Sequence, residues 1–526
     1  MKELRLPPRL YQQKIFETAS QNDTLVILPT GTGKTLIAQM LSIDRFKKFP
    51  LQKILILAPT RPLIEQHLKS FQENLPDQFS DMQLFTGKTT ATKRNKTWQT
   101  AEFIFSTPQC ISNDLKKELY SLEDVSLLII DEAHRCLKNY AYNFISQKYK
   151  TQSINPKVLA LTASPGANKK TIRELCDNLG INELEIRTRD SPDVKQYLQD
   201  LEFEKIEVDF PAEFLEIKLL LEQIYNKKIQ ELKNRKVLFT TPTKTLLLKT
   251  QSRLMSTNKK SLNTFMAISA TASALKISHA IQLLETQTLS SFTAYLKNLY
   301  QQAAQNKSKA VKKLTTTPEF AKAFSMATTL NKEHPKLNKL YQIVQDQLLK
   351  NPTSKIIVFA QFRETVRQIA EYLNKIPNAQ AKTFVGQAIK KHDKGQTTGL
   401  KQTEQKALIE QFSRGELNIL VATSIAEEGL DIPEVSEVIF YEPIPSAIRK
   451  IQRAGRTARL APGKLKILIT KKTLDETFYF SAHHKEKQMY SGITQIKKEF
   501  DAKLNASKNP TDKQSKLHFF SQQSTT

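Results

Sequence analysis

Three cysteines in 526 residues, Cys110, Cys136 and Cys176, are too few and too irregularly spaced for a disulfide framework, a redox pair or a metal-ligating cluster. They read as buried thiols in a reducing compartment. No stretch approaches the ~20 apolar residues of a membrane-spanning helix. The opening residues are polar and lack the apolar run of a signal peptide. The expectation is a cytoplasmic chain. Acid is also in short supply: 52 Asp+Glu stand against 79 Lys+Arg, a formal net charge of +27. Such an excess attracts a phosphate backbone. An acidic membrane would attract it too, but the sequence carries no amphipathic anchor or lipidation site, so no membrane partner is expected. What is present, 39% hydrophobic and 8% aromatic residues, suits a globular protein. At this length two to four domains are expected.

Short apolar runs rich in Ile, Leu and Val alternate with helical stretches from Asp23 to about Ala163: Leu25–Leu28, Ile54–Ala58, Phe103–Ser106, Leu127–Ile130 and Val158–Leu161. Continuous hydrophobicity marks strands buried on both faces, hence a parallel sheet with helical crossovers. The rhythm returns in Ile356–Ala360, Lys382–Val385, Ile419–Ala422, Val438–Tyr441 and Leu465–Ile469. Between about Asp200 and Pro335 the strand-like runs vanish, and helical periodicity takes over, for example across Ala280 to Ala303. There residues 226–260 hold ten Lys and Arg and a single acid, Glu231. The spacing predicts an α/β chain: a first lobe over 1–200, a basic all-helical insertion over 201–335 and a second lobe over 336–498. The polar remainder, 499–526, reads as a disordered tail.

Leu25-Val-Ile-Leu-Pro-Thr-Gly-Thr-Gly-Lys-Thr35 is a strand, a glycine-containing loop and the start of a helix. In such a loop Gly31 and Gly33 let backbone N–H groups wrap phosphate, with Thr30 before them and Thr32 between them. Lys34 reaches the β- and γ-phosphates, and Thr35 can hold Mg²⁺. A chance Gly-Lys-Thr on a surface turn is the bland alternative; the strand before it and the helix after it weigh against that. Asp131 and Glu132 follow a buried strand, where the first carboxylate can bind Mg²⁺ and the second can orient the attacking water. Gln452, Arg456 and Arg459 follow a strand of the second lobe. Arg456 and Arg459 sit three apart, on one face of a predicted helix, and could meet the γ-phosphate across a cleft between lobes. The alternative is a solvated basic helix.

These elements, together with Ala58-Pro-Thr-Arg-Pro-Leu63, Thr107-Pro-Gln109, Leu161-Thr-Ala-Ser-Pro-Gly166 and Val421-Ala-Thr-Ser-Ile-Ala-Glu-Glu-Gly-Leu-Asp431, resemble the motifs of superfamily 2 helicases along nearly the whole chain. Asp131-Glu-Ala-His-Arg135 followed by Asn139-Tyr-Ala-Tyr142, then Ser191-Pro-Asp193, Phe384-Val-Gly-Gln387 and Phe440-Tyr-Glu-Pro-Ile-Pro-Ser446, look more narrowly like the archaeal Hef helicase module. Its eukaryotic relative is the Fanconi-anaemia group M translocase. The resemblance implies two RecA-like parallel-sheet lobes with a thumb-like helical insertion between them, and an ATP-dependent helicase or translocase using Mg²⁺. It also implies that Arg9 and Gln12 read adenine, that Gly429 and Asp431 join the nucleotide site, and that Arg61, Thr107, Arg363 and Thr423 contact DNA phosphates. The implied substrate is forked or branched DNA. Dicer and the innate RNA sensors share much of this motor, so an RNA-dependent ATPase is one alternative, and a recruiting scaffold with a vestigial motor is another. The last motif reads Arg-Thr-Ala-Arg where Arg-Thr-Gly-Arg is commoner. Many archaeal Hef proteins continue into an XPF-type nuclease; no Glu-Arg-Lys signature occurs here, so cutting is expected from a separate nuclease. Near the end, Gln514, Leu517 and Phe520 fit the spacing of peptides that bind the sliding clamp (PCNA). Packing of those apolar residues on the second lobe is the alternative.

Overall fold

A computed structural model describes residues 4–508 except 77, 78, 80, 138–140, 258–260, 388–398, 428, 429, 431, 459 and 460, with side chains to residue 502. In the first lobe the strands are β1 (Thr24–Ile27), β2 (Lys53–Leu57), β3 (Met82–Phe85), β4 (Phe103–Ser106), β5 (Val125–Ile130), β6 (Val158–Thr162) and β7 (Glu183–Ile186). They form one all-parallel sheet in the order β3-β4-β2-β5-β6-β1-β7. The inner strands are buried throughout, as their unbroken apolar runs require.

The second lobe is a parallel sheet in the order β10-β11-β9-β12-β13-β8, with β8 (Leu201–Val208), β9 (Ile356–Phe359), β10 (Ala381–Phe384), β11 (Ile419–Ala422), β12 (Glu437–Phe440) and β13 (Gly463–Thr470). This corrects the boundary expected at residue 201. Residues 201–208 are a strand pairing with β13 along its whole length, not the start of the helical insertion. The insertion is therefore carried by the second lobe, leaving it after β8 and rejoining it before β9.

The insertion itself is a bundle whose helices start on hydroxyl caps. Side chains of Thr243, Ser261, Thr288 and Ser308 accept hydrogen bonds from backbone N–H groups three residues on. The helical periodicity read across Ala280 to Ala303 belongs to two helices, Leu262–Thr286 and Leu289–Ala304, divided where Thr288 caps the second.

The last helix, Leu474–Lys508, starts against the second lobe and ends in the core of the first. Tyr479 packs on the second lobe's core, while Met489, Ile493, Ile496 and Phe500 join a buried cluster with Leu175, Leu179 and Leu184 of the first. The close approach depends on Gly492. A Cβ there would lie 2.8 Å from the Lys169 backbone nitrogen and 3.0 Å from its Cα. Lys169 and Arg173 both pair with Glu499, at 2.7 and 3.0 Å. The expected boundary at residue 498 thus falls inside a helix, and the tail read as disordered from 499 begins with the last ten residues of that helix. Its remainder, with Gln514, Leu517 and Phe520, lies outside the described residues.

Candidate active site in the cleft between the lobes

β1 delivers the phosphate loop. Gly31 and Gly33 adopt left-handed backbone at φ 80° and 78°, which turns the loop into the N-terminus of the helix Lys34–Lys48. Tyr11 and Gln12, on the helix Leu10–Gln21, brace the loop from behind. The Tyr11 hydroxyl donates to Thr32 O at 2.6 Å and Gln12 Nε2 to the same oxygen at 3.1 Å, while Gln12 Oε1 accepts from Arg9 N at 2.8 Å. Gln12 is buried and both ends of its amide are engaged. The Arg9 guanidinium lies 4.6 Å from the centre of the Tyr197 ring. Neither residue lines the cleft itself. Lys34 Nζ donates to Leu28 O and Pro29 O at 3.0 and 3.2 Å, folded onto its own loop.

Asp131 stands at the end of β5, buried, with its Oδ2 2.7 Å from His67 Nε2. Burial works against its ionisation. The His67 imidazole and the Lys34 ammonium outweigh that and hold the carboxyl below the usual carboxylate range. His67 is a site residue that motif reading passed over: it projects from the helix Arg61–Asn74, and nothing in its spacing announces a carboxylate partner 64 residues away. Glu132 adopts left-handed backbone at φ 50°, strain of a kind that concentrates at functional sites, and its Oε2 lies 3.2 Å from His134 Nδ1. His134 Nδ1 also lies 3.3 Å from Thr162 Oγ1, which ties the acidic loop to the end of β6.

The second lobe closes the site. Thr30, Gly31, Gly33, Lys34, Thr35, His67, Asp131 and Glu132 of the first lobe face Glu427, Leu430, Gln452 and Arg456 of the second across a cavity of about 380 Å³. Thr30 Oγ1 donates to Gly455 O at 3.2 Å, a direct link from the phosphate loop to the opposite lobe. Arg456 Nη1 donates to Leu430 O at 2.9 Å. The helix expected to carry both arginines ends early. It spans Ala447–Ala454, and Arg456 lies beyond it in a turn that reaches left-handed backbone at Ala458, φ 56°. Gly455 has no room for a side chain, because a Cβ there would meet Thr30 of the phosphate loop. Gly429, Asp431 and Arg459 lie outside the described residues. Glu427 fixes this helix from below. It accepts from Arg449 Nε and Nη2 at 2.8 Å each and from Arg453 Nε at 2.9 Å, with the fully buried Arg453 guanidinium packed against the rings of both Phe359 and Phe440.

Arg61 begins the helix after β2, and Thr107 stands just before the helix after neighbouring β4. Arg363 begins the helix after β9, and Thr423 follows neighbouring β11. All four stand at the carboxyl ends of adjacent central strands, two on each lobe, where open α/β sheets bind ligands. Arg61 pairs with Glu65 at 2.6 Å, and Glu65 reaches across to Lys406 of the second lobe at 3.2 Å. Arg363 Nη2 donates to Gly386 O at 2.9 Å.

Comparison with known proteins accounts for these parts in order. The DEAD/DEAH box helicase family model matches residues 9–172, and the helicase conserved C-terminal domain matches 335–461. The helical bundle of a putative ATP-dependent RNA helicase family matches 213–334. Fold and cleft are those of the superfamily 2 helicase class. More narrowly, the chain belongs to the Hef-type helicase family. It is 42% identical to the Pyrococcus furiosus Hef helicase domain, whose crystal structure it matches with a TM-score of 0.68 over 90% of this chain and 98% of that one. A putative ATP-dependent RNA helicase of Methanocaldococcus jannaschii is 38% identical over 93% of this chain. The ATP-dependent DNA helicase mph1 of Neurospora crassa is 32% identical over 90%. The chain spans 61% and 42% of the lengths of these two relatives. Among the described residues no helix is long and apolar enough to cross a membrane.

Proposed function

We propose that the chain is an ATP-driven DNA translocase acting on forked or branched DNA in replication-fork repair. The observation that carries this reading is the paired arrangement of Arg61 and Thr107 on one lobe and Arg363 and Thr423 on the other, flanking a cleft built for ATP. Cations and hydroxyls at strand ends suit phosphate contact without base readout, which a tracking motor needs. The N. crassa relative is named a DNA helicase, and that supports DNA over RNA.

ATP bound to the phosphate loop would draw Gln452 and Arg456 onto its γ-phosphate and close the lobes; hydrolysis would release them. The footholds on the two lobes would then shift relative to each other along the backbone. For Mg²⁺ the donor set fits. Asp131, whose carboxyl is held below the usual carboxylate range, and the Thr35 hydroxyl are hard oxygen donors and would hold the ion. Bound there, it would neutralise charge on the phosphates; Glu132 would orient the water and Arg459 would assist Arg456. The bundle, rich in Lys and Arg, would hold the branched region, so binding should weaken steeply with salt. The segment around Gln514, Leu517 and Phe520 would recruit a sliding clamp, and a separate nuclease would cut what this motor remodels.

The M. jannaschii relative is named as an RNA helicase, which favours the second reading, an RNA-dependent ATPase. ATP hydrolysis measured with forked DNA, single-stranded DNA and duplex RNA separates the two. Stimulation by forked DNA is expected, and stimulation by RNA alone overturns the proposal.

A further inference from the structure

The outer end of the helical bundle carries apolar surface that its own packing does not use. Phe239, in the loop between the helices Ala212–Asn234 and Lys244–Ser256, is 80% exposed. Leu262 and Phe265, at the start of the helix Leu262–Thr286, are 81% and 56% exposed. The small core beneath, with Leu232, Leu238, Leu247 and Ala267, is complete without them. Leu238 turns inward and the next residue, Phe239, turns out.

These segments form one surface. Arg235 Nη1 donates to Asn263 Oδ1 at 2.6 Å, beside Leu262, and Arg253 Nη2 donates to Val237 O at 3.3 Å, beside the Phe239 loop. Lys236, exposed between them, is held in left-handed backbone at φ 57°. The neighbourhood is almost free of acid. Glu231 is the single carboxylate in residues 226–260, and it is already shared by Lys228 and Arg235. An apolar protein face laid on these rings would strip water from Lys236 and Arg253 beside them, with no further carboxylate in residues 226–260 to compensate. A nucleic-acid strand supplies flat base faces and phosphates together, the combination that aromatic and basic surfaces bind. Base faces inside a duplex are covered by their neighbours, so the free ones belong to unpaired nucleotides.

We propose that the outer end of the bundle is a stacking site for unpaired nucleotides at a branch point, with Phe239 and Phe265 supplying the ring faces and Arg235, Lys236 and Arg253 the phosphate contacts. This rests on the reading of the chain as a branched-DNA motor.

The test uses the full chain and fluorescence anisotropy with three DNAs: a fork with unpaired nucleotides at its junction, the same fork made abasic at those nucleotides, and a blunt duplex of equal length. Phe239→Ala with Phe265→Ala removes exposed side chains and leaves the core intact. The pair should lose about tenfold or more in affinity for the fork, the scale of one or two lost base stacks, and less than about twofold for the duplex. The unmodified protein should lose a similar factor on the abasic fork, where the double variant should lose no more. Equal losses on fork and duplex, or an unmodified protein indifferent to the abasic sites, overturn the stacking site. So does a double variant that binds every DNA normally, which would leave the surface to a protein partner. Failure of the motor reading looks different, because ATP hydrolysis would then ignore all three DNAs.

Discussion

Gly455 is where the lobes come closest, and a single methyl group there tests whether that contact sets the catalytic geometry. A Cβ on Gly455 would lie 1.8 Å from Thr30 Oγ1, 2.8 Å from Thr30 Cβ and 3.0 Å from Thr30 Cγ2. Rotating the threonine relieves the first and third contacts but not the second, because Thr30 Cβ is fixed by the phosphate-loop backbone. That contact is roughly 0.6 Å inside ordinary van der Waals distance, so the lobes must part or the loop must shift by about that much. A displacement approaching ~1 Å in a reacting assembly costs on the order of 10²-fold in rate. Gly455→Ala should therefore lower kcat for ATP hydrolysis by roughly tenfold to a hundredfold, about 1.4 to 2.7 kcal/mol in the barrier. No residue of the phosphate loop is replaced, so binding of a fluorescent ATP analogue should change only severalfold. Adding Thr30→Ala should recover little of the loss, since the Cβ that makes the unrelieved contact stays. Gly87→Ala is the control, because nothing lies within 4 Å of a Cβ there. Steady-state hydrolysis by Gly455→Ala within twofold of the unmodified protein would refute the reasoning.

Glu442 is buried beside Gln361, and burial pushes its carboxyl up to about 7 against the opposing pull of Lys336 and Arg453. A carboxyl raised on folding contributes stability below its ordinary value of 4.5 and loses it as pH rises through 7. Glu442→Gln should thus gain thermal stability relative to the unmodified protein between pH 5 and pH 8, and a constant difference in Tm across that window would contradict the assignment. Lys336 and Asp475 form an ion pair with neither side chain exposed, at 2.7 Å. Lys336→Met alone should cost about 3–5 kcal/mol in denaturant unfolding, whereas Lys336→Met with Asp475→Leu should cost far less; equal losses would show that the pair was not the cause. Ala458 pays for left-handed backbone that glycine adopts freely, so Ala458→Gly should stabilise by about 0.5–1 kcal/mol, and a destabilised variant would count against the turn geometry. His67→Ala removes the partner 2.7 Å from Asp131 and should change the Mg²⁺ concentration needed for half-maximal nucleotide binding severalfold, which an unaltered Mg²⁺ titration would rule out.

What the sequence disclosed and what it hid follow from where each element sits. Strands buried on both faces announce themselves as unbroken apolar runs, and β1, β2, β4, β5 and β6 were legible to within a residue or two. The strands that escaped, β3, β7 and β8, all lie at sheet edges. Edge strands meet solvent along one side, so their sequences admit charge. Leu201-Glu-Phe-Glu-Lys-Ile-Glu-Val208 is mostly exposed and resembles a linker more than a central strand. The phosphate loop and the Asp131-Glu132 pair were legible because their chemistry is local. The contacts that make them one site were not. Thr30 meets Gly455 across 425 residues, and Asp131 meets His67 across 64.

The final helix is the instructive case, because its signal was present and was cut short. Met489, Ile493, Ile496 and Phe500 recur at intervals of four, three and four, the stripe of a helix with one buried face, and that stripe runs past the residue where the polar tail was expected to begin. Periodicity reports that a face is buried without naming the surface that covers it. Here the cover is the first lobe, so the helix that leaves β13 of the second lobe spans both. Lys218 of the bundle pairs with Glu285 at 2.7 Å, and Glu285 accepts from the backbone N–H of Leu474 at 3.0 Å, where the same helix begins. One helix therefore touches the bundle at its start, the second lobe along its first turns and the first lobe at its end. A boundary drawn by composition at residue 498 would have cut away Phe500 and Glu499, the contacts that hold that end in place.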